Sequence, residues 1–338
     1  MNVSIISFTD RGRSVSRRIA RSLPNACVTQ YAKAEGFVPY ESVGAFARQA
    51  METADAIVFV GAAGIAVRAI APYVRGKDVD PAVLVTDENG RFVISLLSGH
   101  IGGANRLTQA LAQELHAIPV ITTATDGRGM FAVDSWAVGH GCTVRNTGCI
   151  KYISSALLCG ETVGLQCDFP ISGTLPDGVT TEQTPECGIQ ISVFVQDNVA
   201  FAHTLRLVPR IVHVGVGCRR GTPPEKLSDW ISQILQDMRL DAHAIASVAS
   251  IDLKADEPAV LQLAQAWRVP TRFYSARELE QVSGAFPPSD FVRRTTGTDN
   301  VCQRAAARAS GEGRCLLAKT AHDGMTVSIY CEDWRAAF

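Results

Sequence analysis

A recurring order of apolar and polar positions dominates the first third of the chain: a short apolar run, a loop of small residues, then a stretch of helical period. Val3-Ser-Ile-Ile-Ser-Phe8 leads through Thr9–Ser14 into Val15–Leu23. Ala56-Ile-Val-Phe-Val60 leads through Gly61-Ala-Ala-Gly64 into Ile65–Ala71, where Pro72 stops the helix. Arg91–Leu97 leads through Ser98-Gly-His-Ile-Gly-Gly-Ala-Asn105 into Arg106–Leu115, and Pro119-Val-Ile-Thr-Thr-Ala-Thr-Asp126 follows. Strands alternating with helices of this length predict a parallel sheet covered on both faces. In such sheets ligands collect outside the carboxyl ends of the strands, where these loops are expected to lie.

From Ser135 to Leu207 the pattern is weaker. Asn146 is positioned to cap a helix through Ile150–Leu158, and Val163–Cys167 and Ile189–Val195 read as strands around a Gly/Pro/Thr-rich loop. Alternation resumes with the strand Arg210–Val216 and the loop Gly217-Cys-Arg-Arg-Gly-Thr222. Thr222, Pro223 and Glu225 then have the spacing of a capping box with proline at the first helical position. Ile245–Leu253 and Thr271–Ser275 read as strands flanking a helix over Glu257–Ala266, and the chain closes with a hairpin turning at His322-Asp-Gly324. The fold class expected is α/β in three pieces. A doubly wound parallel-sheet domain spans residues 1–135, a small α/β segment 136–207, and a C-terminal α/β domain 208–338.

Composition narrows the function. At 338 residues with 46% hydrophobic and 19% charged side chains, the chain has the profile of a globular protein with a sizeable core. A net charge of −1 offers no general attraction to nucleic acid or to an anionic membrane, so an anionic ligand must be held by local features. The ten cysteines contain no C-x-x-C pair and read as reduced, mostly buried thiols. His116, His140, His203, His213, His243 and His322 show no metal-ligand spacing, and no protein-bound metal is expected. No basic leader with an apolar run and no bilayer-length apolar segment is present, which points to the cytoplasm.

The loops carry the candidate chemistry. In SGHIGGAN, amide N–H groups at a helix start would favour an anion, and Ser98, Gly99, Gly102, Gly103 and Asn105 are the candidate cradle around His100. The alternative is a tight turn with Asn105 as helix cap and His100 bonded to the backbone. Neither a dinucleotide fingerprint nor a P-loop is present, which counts against a nucleotide-using enzyme. Gly61 and Gly64 with Arg68 form a second candidate cradle. Thr122, Thr123, Thr125 and Asp126 crowd the next strand end, as ligand contacts or as an Asx-type turn. Should that strand neighbour the one before SGHIGGAN, Asp126 would orient the His100 imidazole for acid–base work. Arg219 and Arg220 are either solvated or a carboxylate clamp, and Lys254 with Glu257 is either a salt-linked helix entry or part of a binding face.

Together, GAAGIAVRAIAPYVRGKDVDPAV, SLLSGHIGGANRLTQALA with PVITTATDGRGMFAVDSWA, and VGVGCRRGT followed by SIDLKADEPAV resemble the cobalt-precorrin-5A hydrolases of the anaerobic cobalamin pathway. The Cys-Arg-Arg-Gly segment is also found in a related single-domain protein of the aerobic pathway. One departure is visible: such proteins often carry Glu-Pro-Ala-Ala at a late helix start, where this chain has Val301-Cys-Gln-Arg-Ala-Ala306.

The resemblance implies opening of a δ-lactone on a cobalt-corrinoid ring and release of acetaldehyde. It further implies that cobalt arrives within the substrate and no separate cofactor is held. On that footing His100 and Asp126 are the catalytic candidates, and the cradle residues, threonines, Arg219, Arg220 and Lys254 are the substrate contacts. The partner expected is the corrinoid, and a homodimer or transient contact with neighbouring pathway enzymes is compatible with it. The competing expectation is a non-catalytic tetrapyrrole carrier.

Overall fold

A computed structural model describes the chain apart from residues 77–78, 124–129, 183–184 and 196–200. Two compact units result, Met1–Gly139 and His140–Phe338. Among the described residues, no helix is long and apolar enough to cross a membrane.

In the first unit, β1 (Asn2–Ser7), β2 (Cys27–Tyr31), β3 (Ala56–Val60), β4 (Ala82–Thr86), β5 (Phe92–Leu97) and β6 (Ile118–Val120) form one sheet in the order β2-β1-β3-β4-β5-β6. β3 shows why its apolar run is unbroken. Ala56, Val58 and Val60 pack on one face with Val15, Ile19, Leu111 and Leu115, whereas Ile57 and Phe59 pack on the other with Phe46, Met51 and Ile70. Period-two alternation has sent successive side chains into two different cores, as expected of a sheet with helices on both sides. The doubly wound expectation holds here.

The parallel arrangement has one exception. β4 and β5 pair antiparallel, and β6 then runs parallel to β5. The sequence reading passed from β3 to β5 and missed both β4 and the Asp87-Glu-Asn-Gly90 turn that joins it to β5. The Asp87 carboxylate accepts from the Asn89, Arg91 and Phe92 amides, and Gly90 has φ of +67°, so the turn is locally encoded. These amide bonds outweigh the burial that opposes ionisation and hold the Asp87 carboxyl below the usual carboxylate range. The reversal moves the carboxyl ends of β5 and β6 to the sheet edge that holds the amino ends of β1–β4.

The second unit contains two five-stranded sheets. β7 (Cys142–Val144), β8 (Val163–Cys167), β10 (Val179–Thr180), β11 (Cys187–Ile191) and β12 (His203–Pro209) form the first, in the order β10-β8-β11-β12-β7, while β9 (Ile171–Ser172) lies outside it. The helix Ile150–Leu158 appears as expected, but Asn146 does not cap it. Its amide side chain instead donates to the Thr204 carbonyl and accepts from the Arg206 amide, fastening the segment to β12.

β13 (Val212–Cys218), β14 (Ile245–Ile251), β15 (Thr271–Tyr274), β16 (Arg314–His322) and β17 (Met325–Cys331) form the second, in the order β15-β14-β13-β17-β16. Val212, Val214 and Val216 face the helices Pro224–Asp237 and Pro258–Trp267. On the opposite face the helix Cys302–Ala309 lies so close that a Cβ at Gly215 would fall 1.9 Å from the Cys302 carbonyl oxygen. The hairpin turns where expected, with Asp323 and Gly324 at φ of +45° and +79°. β18 (Ala336–Ala337) pairs with β9, and Trp334 meets Phe169 edge-on, so the end of the chain is stitched into the segment that precedes β13.

Four of the ten cysteines are buried, three half-buried and three exposed, fewer buried than expected, and all are free thiols. Burial pushes the Cys142 and Cys331 thiols up to about 12 and about 11, which marks them as core residues rather than nucleophiles.

Candidate functional site

SGHIGGAN closes on itself. The amides of Gly103, Ala104 and Asn105 donate to the carbonyls of His100, Ser98 and Gly99 at 3.0, 3.1 and 2.8 Å. The first donors of the helix Ala104–Leu115 therefore point into the loop, not toward an anion as expected. Its glycines answer to packing. A Cβ at Gly102 would sit 2.4 Å from the Ser98 Cβ and 2.9 Å from its carbonyl oxygen, and one at Gly99 would meet the Asn105 side chain at 2.8 Å. Gly103, at φ of +82°, is the cap of the helix, in place of the expected Asn105. Asn105 is buried beneath the loop, accepting from Ser95 Oγ at 2.7 Å and donating to Thr123 Oγ1 at 3.1 Å. In this position the side chain braces the loop. Ser98 is buried too, in the left-handed region, and its Oγ has no hydrogen-bond partner among the described residues.

His100 stays partly open above this brace, with its side chain 15% exposed. Nδ1 lies 2.6 Å from Ser135 Oγ and 3.7 Å from an Asp134 carboxylate oxygen. Both partners stand at the start of the helix Val133–Gly139, where the Ser135 amide donates to the same Asp134 oxygen at 3.0 Å. Oxygen atoms facing Nδ1 favour the tautomer with its proton there, which leaves the basic lone pair on Nε2. Sequence reasoning missed Asp134 and Ser135. They stand inside the AVDSWA stretch, but 34 and 35 residues from His100. Asp126 and Thr125, expected beside the imidazole, lie outside the described residues. Thr122 is exposed at the end of β6, and Thr123 shares that edge.

Gly61, Gly64 and Arg68 are not part of this constellation. They follow β3, and the reversal at β4–β5 puts the carboxyl end of β3 on the edge opposite SGHIGGAN. The expectation that these loops all lie at the carboxyl edge of one parallel sheet is therefore corrected. The Arg68 guanidinium folds back over Gly64, 3.4 Å from where a Cβ would be.

In the second unit, Arg219, Arg220 and Lys254 do come together, around a cavity of about 740 Å³. Thr222 does not form the expected capping box: its hydroxyl donates to the Arg219 carbonyl, and the helix starts at Pro224. Instead the loop is held from below by Glu257, which is buried and accepts from the Gly221 amide and from Lys254 Nζ, each at 3.0 Å. Lys254, which lines the cavity, is thus also ion-paired to Glu257. Arg220 reaches only the exposed Asp256, at 3.5 Å, a pairing that water largely screens. Gln303, in the departing helix start, donates to the Tyr330 hydroxyl and accepts from the Lys319 amide, so the altered position braces β16. Arg304 pairs with Asp299 at 3.1 Å.

Family models match three successive segments from residue 45 onward: "Cobalamin synthesis G N-terminal" over residues 45–126, "Cobalamin biosynthesis central region" over 131–209 and "Cobalamin synthesis G C-terminus" over 212–330. A protein of Salmonella typhimurium named cobalt-precorrin-5A hydrolase is 38% identical over 97% of this chain and 97% of its own.

The chain belongs to the cobalt-precorrin-5A hydrolase family.

A Priestia megaterium protein of the same name is 26% identical over 96% of this chain and 94% of its own. A solved structure of a cobalamin biosynthesis protein G homolog from Sulfolobus solfataricus is 23% identical, spans 98% of this chain and 97% of its own, and superposes with a TM-score of 0.43. The family resemblance read from the motifs is therefore upheld, and with it membership of a hydrolase family of cobalamin biosynthesis.

Proposed function

We propose that this chain is a cobalt-precorrin-5A hydrolase that opens the δ-lactone of the cobalt corrinoid and releases acetaldehyde, leaving cobalt-precorrin-5B. One observation carries the reading: the His100 imidazole, held at Nδ1 by Ser135 with Asp134 beside it, within a chain 38% identical over nearly its full length to a named hydrolase. Water adds to the lactone carbonyl, its oxygen bonding to the acyl carbon as the ring C–O bond breaks and the departing alkoxide takes up a proton. Removal of the proton from that hydroxyl then lets the adjoining carbon–carbon bond break. Acetaldehyde leaves, and the electron pair stays with the macrocycle.

His100 Nε2 takes the proton from water and carries protons through the second step, while Ser135 and Asp134 hold the tautomer. Asp126 remains a proposed partner of the same imidazole, with Thr122, Thr123 and Thr125 as contacts at that edge. Arg219 and Arg220 pair peripheral carboxylates. The cobalt enters with the substrate, and the protein supplies no ligand to it.

Replacing His100 by Gln or Ala and assaying acetaldehyde tests the reading. Turnover should fall by about 10²- to 10⁴-fold, the usual worth of a positioned acid–base group. Near-normal release from His100→Gln would remove the imidazole from the chemistry. The cationic cavity favours a second reading, a non-catalytic tetrapyrrole carrier. Corrinoid binding with no acetaldehyde from the wild-type chain would establish that alternative.

A further inference from the structure

The cavity in the second unit has features that the anion-clamp reading of Arg219 and Arg220 does not account for. Phe291, on the short helix Asp290–Thr296, lines it while 74% exposed, and Leu253 lines it at 53%. An aromatic side chain left this open beside a concave apolar surface marks a place where something apolar is covered. Val292, Val301 and Met325 continue the apolar wall.

The cations are unequal. Lys254 is neutralised by Glu257, and Arg220 is loosely tied to Asp256. Arg219 and Lys319 form no ion pair among the described residues, yet both line the cavity. The backbone of each is tied to a neighbouring element. The Arg219 stem lies across Gly324, where a Cβ would fall 2.7 Å from its Nε, and its amide donates to the Gly324 carbonyl. The Lys319 amide is pinned by Gln303 at 3.3 Å. Beyond its paired charges, the cavity therefore carries an open aromatic face and two cations that form no ion pair among the described residues.

We propose that this cavity binds a polycarboxylated tetrapyrrole ring, with Phe291 covering part of the ring face and Arg219 and Lys319 pairing its peripheral carboxylates. The inference rests on the corrinoid reading above for its ligand class, and it adds Phe291 and Lys319 to the site. Carboxylates pairing cations beside an apolar wall are less screened than on open surface, so each pair discriminates strongly against an uncharged side chain. A stacked aromatic contributes regardless of charge.

The full-length protein is titrated with cobyrinic acid, a cobalt corrin with free carboxylates, and with cobinamide, whose peripheral groups are amides. Binding of cobyrinic acid should be the tighter and should weaken as salt rises. Arg219→Ala and Lys319→Ala should each weaken it about ten-fold and flatten the salt dependence. Phe291→Ala should weaken both corrins by about ten-fold and leave the salt dependence unchanged. Arg48→Ala, exposed in the other unit, should change neither. Arg219, Phe291 and Arg48 are exposed and Lys319 is half-buried, and a thermal melt checks that each variant retains the fold.

Absence of cobyrinic acid binding to the wild-type chain, or wild-type affinity in all three cavity variants, overturns the assignment. If acetaldehyde release is normal in that case, the hydrolase reading stands without it. Weakened binding in the variants alongside a wild-type chain that releases no acetaldehyde supports the cavity and sinks the hydrolase reading instead.

Discussion

SGHIGGAN in the first unit and Cys218-Arg-Arg-Gly-Thr222 in the second are both small-residue loops that lead from a strand toward a helix, and both are braced from below by one buried polar side chain. Asn105 ties the first to Ser95 and Thr123, and Glu257 ties the second to Lys254 and the Gly221 amide. They differ in what the glycines do. Gly99 and Gly102 let the first loop pack against itself, with its helix-start amides turned inward, and the His100 imidazole stays partly exposed above it. Gly221 touches nothing within 4 Å of its missing Cβ, and the residues before it line an open cavity. Glycine content is therefore a poor guide to ligand approach. The first loop uses it for closure beneath one histidine, and the second for a turn that leaves its arginines exposed.

Removing a brace should have the largest effect on stability. Glu257→Ala strips a buried carboxylate from a lysine that is only 16% exposed and leaves the Gly221 amide without its acceptor. A loss of about 3 kcal/mol is expected in denaturant unfolding. A cost below about 1 kcal/mol would mean that the second loop is not built on this pair. Next comes Gly102→Ala, whose Cβ has no room between Ser98 and the Asp80 carbonyl. Overpacking of this kind costs about 2 to 3 kcal/mol, and it should also depress acetaldehyde release by displacing His100. A Gly102→Ala protein that melts like wild type would show that the loop is looser than drawn. Asn105→Ala should follow at about 2 kcal/mol, since Ser95 and Thr123 each lose a partner. Asn105→Asp separates shape from bonding: it can still accept from Ser95 but cannot donate to Thr123, so it should recover only part of the loss.

Much of the scaffold was legible from local patterns, because local chemistry decides it. The unbroken apolar run of β3 forecast burial on both faces, and His322-Asp-Gly324 forecast the hairpin that carries the Arg219 brace. The Lys254–Glu257 pair was likewise visible as a salt-linked helix entry. What escaped depends on contacts far apart in sequence or on a single missed element. Passing over Ala82–Thr86 left the direction of β5 wrong, and with it the expectation that the loops after β3 and β5 lie at one edge of a parallel sheet. Asp134 and Ser135 carry no local signal of meeting an imidazole, since a helix start rich in polar residues is ordinary capping chemistry until the tertiary fold brings it there. Thr222 failed as a cap because the helix begins at Pro224, one residue later than the spacing predicts, which leaves Pro223 at the cap position.

The smallest expected effect makes the sharpest distinction between the loops. Gly221 has φ of +75° with open space around its Cβ, so Gly221→Ala meets strain but no collision. About 1 kcal/mol is expected for an L-residue forced into the left-handed region. Asn tolerates that conformation, and Gly221→Asn should therefore recover most of the loss. Gly102 is outside the positive-φ set, and its problem is backbone and side-chain atoms closer than 3.0 Å, so Gly102→Asn should be at least as damaging as Gly102→Ala. Melting curves of the four variants decide the matter. Rescue by Asn at 221 and not at 102 separates a glycine kept for its backbone angle from one kept for want of room. Equal behaviour at the two positions would erase the contrast between an open loop and a closed one.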